Sequence, residues 1–271
     1  MKWIAIAVMF TIPLGCSSKN PGSMSDDHQH SSDTGHAKHS MGEAAVELVI
    51  QTVPTAPKAG QPTQLKLMIH GPGGNMVKDF EMIHEKLVHL IIVREGLDQF
   101  AHIHPAVDSS GNIAVTFSFP LGGKYRIFAD YKPAGKTAAT ATGVANVSGD
   151  APRAPEPKPD VPGKVAGDGL NAEIAVDNAK PGGETKIAFM LADPTGKPAA
   201  DLQPNLGAMG HLVIIGADGT EYVHAHPAEK KLVAGQVAFE AHFRKPGIYK
   251  GWGQFQRAGV VHTVPFVIRV Y

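Results

Sequence analysis

Apolar positions along this chain recur in short runs separated by Gly, Pro, Asp and Asn, and several runs alternate strictly with polar positions. Val115, Phe117 and Phe119 alternate with Thr116 and Ser118, and Phe239, Ala241 and Phe243 with Ala238, Glu240 and His242. A period of two places each set on one face of a strand. The pattern predicts strands over 46–53, 63–70, 87–93, 113–119, 124–131 and 140–147, and again over 170–176, 185–192, 210–215, 236–243, 248–256 and 260–270. No stretch long enough for a packed helix carries a clean helical period.

The two sets of strands belong to a repeat. Gly60 to Pro105 aligns without a gap on Gly182 to Pro227, pairing Met68 with Met190, Pro72 with Pro194, Gly74 with Gly196 and Asp79 with Asp201. Agreement is densest at His89-Leu90 with His211-Leu212, and at His102-x-His104-Pro105 with His224-x-His226-Pro227. After a two-residue insertion, Gly123-Lys124-Tyr125 meets Gly247-Ile248-Tyr249. Such spacing predicts an all-β chain with two tandem antiparallel β-sandwich domains of immunoglobulin or cupredoxin-like shape, over 44–148 and 166–271. Between them, residues 149–165 carry Pro152, Pro155, Pro157, Pro159 and Pro162, the composition of a semi-rigid extended linker.

The start of the chain differs. Lys2, the apolar stretch Ile4 to Leu14, and Leu14-Gly15-Cys16-Ser17 read as an export signal over residues 1–16 ending in a lipobox-like motif. Pro13 stands where such motifs carry an aliphatic residue. The expectation is an exported protein, acylated at Cys16 (palmitate) and anchored to the cell envelope. It would sit in the outer membrane or at the periplasmic face of a cell that has one. Residues 17–43 lack aliphatic and aromatic anchors and are expected to be disordered.

Cys16 is the sole cysteine, which excludes an intrachain disulfide, a CxxC motif and a type 1 blue copper centre. Basic and acidic residues balance at 25 each, so no concentrated basic surface points to a nucleic acid. Nucleophile-elbow, HExxH and phosphate-loop motifs are missing, and no catalytic residue or enzyme activity is expected.

Histidine is the informative residue type, with fourteen in the chain. His28, His30, His36 and His39 lie in the leader with Met24 and Met41, and imidazole with thioether suits copper in both oxidation states. In the domains, His102 and His104 share one face of a strand and follow His89. His224 and His226 follow His211 in the same way. Three neutral imidazoles from two adjacent strands can hold copper or, second to it, zinc. Each domain is therefore expected to carry its own trio, His89, His102, His104 and His211, His224, His226. His84 is an extra candidate ligand in the first domain and His262 in the second. A satisfied core histidine network is the competing reading of both trios. His70 and His242 have no counterpart and read as ordinary surface residues.

The strings HLIIV, DQFAHIHP and FPLGGKYRIFADYKPAG, with HLVII, EYVHAHP and PGIYKGWGQFQRAG, resemble YtkA-like and related exported immunoglobulin-like modules associated with bacterial copper handling. The resemblance covers both repeats. It implies a β-sandwich and metal association, and points by position to the same six histidines. The second repeat departs at Gly251-Trp252-Gly253-Gln254, where the first has Ile127-Phe128-Ala129-Asp130, which argues against a functional role for Asp130. The function expected is an envelope metal-binding lipoprotein in copper buffering, delivery or resistance. Its expected partners are the ion, the bilayer and an envelope protein. The alternative is a non-metal tandem module that binds or spaces another envelope protein.

Overall fold

The computed structural model describes residues 46–225, 227 and 235–271. The signal with Cys16, the leader with its four histidines and two methionines, and His226 lie outside the described residues. Among the described residues there is no helix, and therefore none long and apolar enough to cross a membrane.

The chain is all-β. The first domain contains β1 (Glu47–Val53), β2 (Pro62–His70), β3 (Phe80–Glu81), β4 (Val88–Arg94), β5 (Phe100–Ile103), β6 (Ala106–Val107), β7 (Ile113–Ser118), β8 (Gly123–Pro133) and β9 (Ala139–Val147). The second contains β10 (Gly163–Ala166), β11 (Asn171–Asp177), β12 (Glu184–Ala192), β13 (Leu202–Gln203), β14 (His211–Gly216), β15 (Tyr222–Ala225), β16 (Gln236–His242), β17 (Gly247–Arg257) and β18 (Val260–Val270). Every strand read from the sequence is present, with ends shifted by at most two residues. The short strands β3, β5, β6, β10, β13 and β15 are not among the predicted runs, because two to four residues carry too little pattern to register.

In the second domain, β10-β11-β12-β16 faces β13-β17-β14-β15, with β18 beside β17. The first repeats this arrangement, but its layers β1-β2-β7-β6 and β5-β4-β8-β9 join into one sheet through a parallel contact, Glu47 opposite Thr142. Each sandwich encloses its own apolar core. Leu65, Leu67, Leu90, Ile92 and Ile127 meet in the first, and Ile187, Phe189, Leu212, Ile214 and Phe266 in the second. A tyrosine corner locks each one: the Tyr125 hydroxyl donates to the Leu121 carbonyl at 2.9 Å, and Tyr249 to Lys245 at 2.8 Å.

Strands β4 and β14 are buried along their whole length, as neither edge nor one-sided strands are. Their even-numbered residues, Leu90, Ile92, Leu212 and Ile214, fill the cores. Their odd-numbered residues, Ile91, Val93, Val213 and Ile215, form a third apolar cluster with Phe128 and Trp252, drawn from both domains. The sandwiches therefore pack sheet on sheet. Two stacked pairs cross the boundary: Phe100 on Trp252 at 4.5 Å between ring centroids, and Phe128 on Tyr222 at 4.4 Å. Phe100 aligns with Tyr222 and Phe128 with Trp252, so the internal repeat makes an isologous interface, as a two-fold dimer would. Each stack adds about 1 kcal/mol beyond the area it covers.

The linker is docked at both ends. Arg94 donates to the carbonyls of Gly122 and Pro152, and Asp160 accepts the Val267 amide at 2.7 Å.

Candidate metal centre

One end of this interface is apolar, and the other is made of histidine. Tight turns prepare it. Ile83 and Lys86 pair across His84 and Glu85, at φ +48° and +64°, and Asn205 and Ala208 pair across Leu206 and Gly207, at +51° and +74°. Two successive positive φ angles define the primed turn that matches strand twist. Each turn presents a carbonyl to the first histidine of the following strand. His89 Nε2 donates to Ile83 at 3.0 Å, and His211 Nε2 to Asn205 at 2.9 Å. A carbonyl can only accept, so both rings carry their proton on Nε2 and keep the Nδ1 lone pair.

The second histidine of each repeat is held across the interface. His102 Nδ1 donates to Gln254 Oε1 at 2.7 Å, and His224 Nδ1 donates to Asp130 Oδ2 at 2.6 Å. His102, whose charged form burial disfavours, therefore keeps its lone pair on Nε2. Asp130 and Gln254 occupy equivalent positions, so the same contact is made twice, once with a charge and once without. The departure at Asp130 thus does not break the pattern: aspartate and glutamine do the same orienting job. Asp130 also accepts from the Tyr222 hydroxyl at 2.5 Å and from Thr140 Oγ1 at 2.6 Å.

These bonds aim the lone pairs at one another. His89 Nδ1 lies 3.1 Å from His102 Nε2 and 3.1 Å from His104 Nε2. His89, His102 and His224 each offer a ring nitrogen within 4.8 Å of the others. The His224 ring centroid is 5.5 Å from that of His89 and 5.2 Å from that of His102. His211 and His84 border the same group, His211 at 5.7 Å from His102 and His84 at 6.1 Å from His89. The described members of the two trios expected from the sequence, His89, His102 and His104 with His211 and His224, instead form one cluster spanning the domain boundary. His262 is not part of it: its Nδ1 donates to the Asp168 carbonyl.

Burial favours the neutral form of His84, His89, His102, His104 and His211. It lowers His89 to about 3, against the opposing Ile83 hydrogen bond, and lowers His104 and His211 to about 4, with neighbouring positive charge adding to the effect. His102 is pushed well below its ordinary range by burial and then by the other histidines, and His84 is lowered for the same reasons. Asp130 is buried, which opposes ionisation. Hydrogen bonds from His224, Thr140 and Tyr222 outweigh that and hold it below the usual carboxylate range. The Tyr222 phenol is raised well above its usual range by burial and by the Asp130 charge.

The donor set fits a transition metal. Two nitrogens, both lone-pair bearing and 3.1 Å apart, repel, and a cation between them relieves the repulsion. Around a tetrahedral zinc with bonds near 2.0–2.1 Å, neighbouring nitrogens are about 3.3 Å apart. His104 offers a fourth nitrogen beside His89, and Asp130 and Gln254 supply the outer hydrogen bonds that orient metal-ligating imidazoles.

The chain belongs to DUF8832, a domain of unknown function, whose model matches twice, over residues 43–149 and 164–271. No curated protein matches it significantly. Among solved structures it is similar to a tetra-tandem repeat from the extending region of a large adhesion protein, at 13% identity and TM-score 0.29, covering 84% of this chain and 50% of that one. A 1.5-MDa bacterial ice-binding adhesin is similar at 8% identity and TM-score 0.27, over 83% and 62%. Salmonella alpha-2-macroglobulin is similar at 11% and 0.27, over 83% and 15%. The chain thus spans half the length of the first of these.

Proposed function

We propose that this protein binds a transition-metal ion in the cell envelope, copper or zinc, at the histidine cluster between its domains. The observation that carries the reading is the facing pair His89 Nδ1 and His102 Nε2, whose protons are both committed outward, to Ile83 and Gln254. An additional proton would relieve the repulsion, but burial opposes it strongly at His89 and His102. A metal ion relieves it without protonating either ring. The leader histidines and methionines would gather ions near the membrane, with Cys16 acylated as the anchor, in buffering, delivery or resistance. The resemblance to YtkA-like modules supports this reading from the sequence side. A metal-free spacer between envelope proteins is the alternative, in which His104 Nε2, 3.1 Å from His89 Nδ1, would donate to it. Equilibrium dialysis against Cu(II) and Zn(II) tests the proposal. Micromolar or tighter binding, lost in His89→Gln, is expected; millimolar binding, or no loss in that variant, would refute it.

A further inference from the structure

His224 belongs to the second domain, yet its ring centroid lies 5.2 Å from His102 and 5.5 Å from His89 in the first, but 6.2 Å from His211 in its own. Its proton is likewise committed to the other domain, at Asp130. His102 returns the relationship through Gln254. Ligand and orienting residue thus sit on opposite domains in both directions, and neither domain alone presents an oriented set.

From this juxtaposition we infer that the two domains share one divalent transition-metal ion, so that filling the centre and closing the interface are a single event. The inference rests on the metal reading above and adds a stoichiometry and a coupling to it. His89, His102 and His104 come from the first domain and His224 from the second, four nitrogens for one ion. The converging donors are nitrogen with no sulfur, which favours Zn(II) or Cu(II) over Cu(I). The buried Asp130 carboxylate offsets part of the divalent charge through His224. The apolar half of the interface lies on the strands that carry the ligands and their orienting residues, with Phe100 beside His102 on β5 and Trp252 beside Gln254 on β17. Separating the domains would therefore break ligand geometry and ring stack together. By linkage, an ion that prefers the closed state stabilises it by as much as closure raises the affinity.

The test uses the full chain with His28→Ala, His30→Ala, His36→Ala and His39→Ala, so that the leader does not contribute, and Zn(II) as the probe. Equilibrium dialysis should give one tightly bound ion per chain. His102→Ala and His224→Ala, each on its own, should weaken that binding at least about tenfold. With Trp3→Phe added, Trp252 is the sole tryptophan. Zn(II) should then shift the denaturant midpoint of its emission upward in the parent and in neither histidine variant. Two ions in the parent, with one surviving in each variant, would overturn sharing while leaving the metal reading intact. Loss in His102→Ala but not in His224→Ala would do the same. One ion bound with no shift at Trp252 would overturn the coupling. No bound ion in the parent would remove the metal reading itself.

Discussion

His224 donates its Nδ1 proton to Asp130 at 2.6 Å, and that bond crosses between domains that sequence alone keeps apart. Its counterpart, His102 with Gln254, is the same contact without the charge. A carboxylate behind a metal-binding imidazole raises its basicity and fixes its tautomer. Asp130→Asn should therefore leave the fold intact and weaken Zn(II) binding about tenfold or more. Gln254→Ala should have the smaller effect. Titration of both variants checks the ordering, and equal or reversed losses would count against the role given to Asp130.

The pH dependence of the metal-free chain follows from the buried rings. His89 and His211 have native pKa values depressed to about 3 and about 4 from an ordinary value near 6.5. The unfolded chain then binds more protons between those values. The stability these rings allow is complete above pH 6.5 and is lost as pH falls towards 4 and below. At pH 5 each costs about 2 kcal/mol relative to neutral pH. Denaturant unfolding at pH 7 and pH 5 should show this loss, and His89→Gln should reduce it. A flat profile between those values would show that the rings are not buried and neutral.

Trp252 is 4% exposed and stacked on Phe100 from the other domain. Trp252→Ala should cost about 3 kcal/mol in denaturant unfolding. It should also make the linker near Pro155 and Pro157 more susceptible to protease, since opened domains would strain its docked ends. Unchanged stability would argue that the domains do not pack through this face.

The proposed anchoring rests on Cys16. A fatty-acid analogue should label the protein in cells, and Cys16→Ser should abolish the label; labelling of the serine variant would remove the anchor.

The strands were legible in the sequence because alternation is enforced by burying one face. Val115, Phe117 and Phe119 sit on one side of their strand, and polar Thr116 and Ser118 on the exposed other side. The histidines were legible as candidate ligands because His102 and His104 repeat as His224 and His226. Their assembly into one cluster was not, since spacing within a repeat says nothing about contacts between repeats. A signal for it was present: Val88 to Val93 and His211 to Ile215 do not alternate, and strands apolar on both faces need a cover on both. Taken with the repeat, those runs imply that one domain covers the other. Asp130 escaped because Gln254 differs from it in charge while sharing its hydrogen-bonding task.

The most direct measurement is anomalous diffraction from crystals of the Zn(II)-loaded chain, collected at the zinc edge. The structure predicts one strong peak per chain, about 2.0–2.1 Å from His89 Nδ1, His102 Nε2 and His224 Nε2. Two peaks, one within each domain, or no peak among these rings, would contradict a centre shared between the domains.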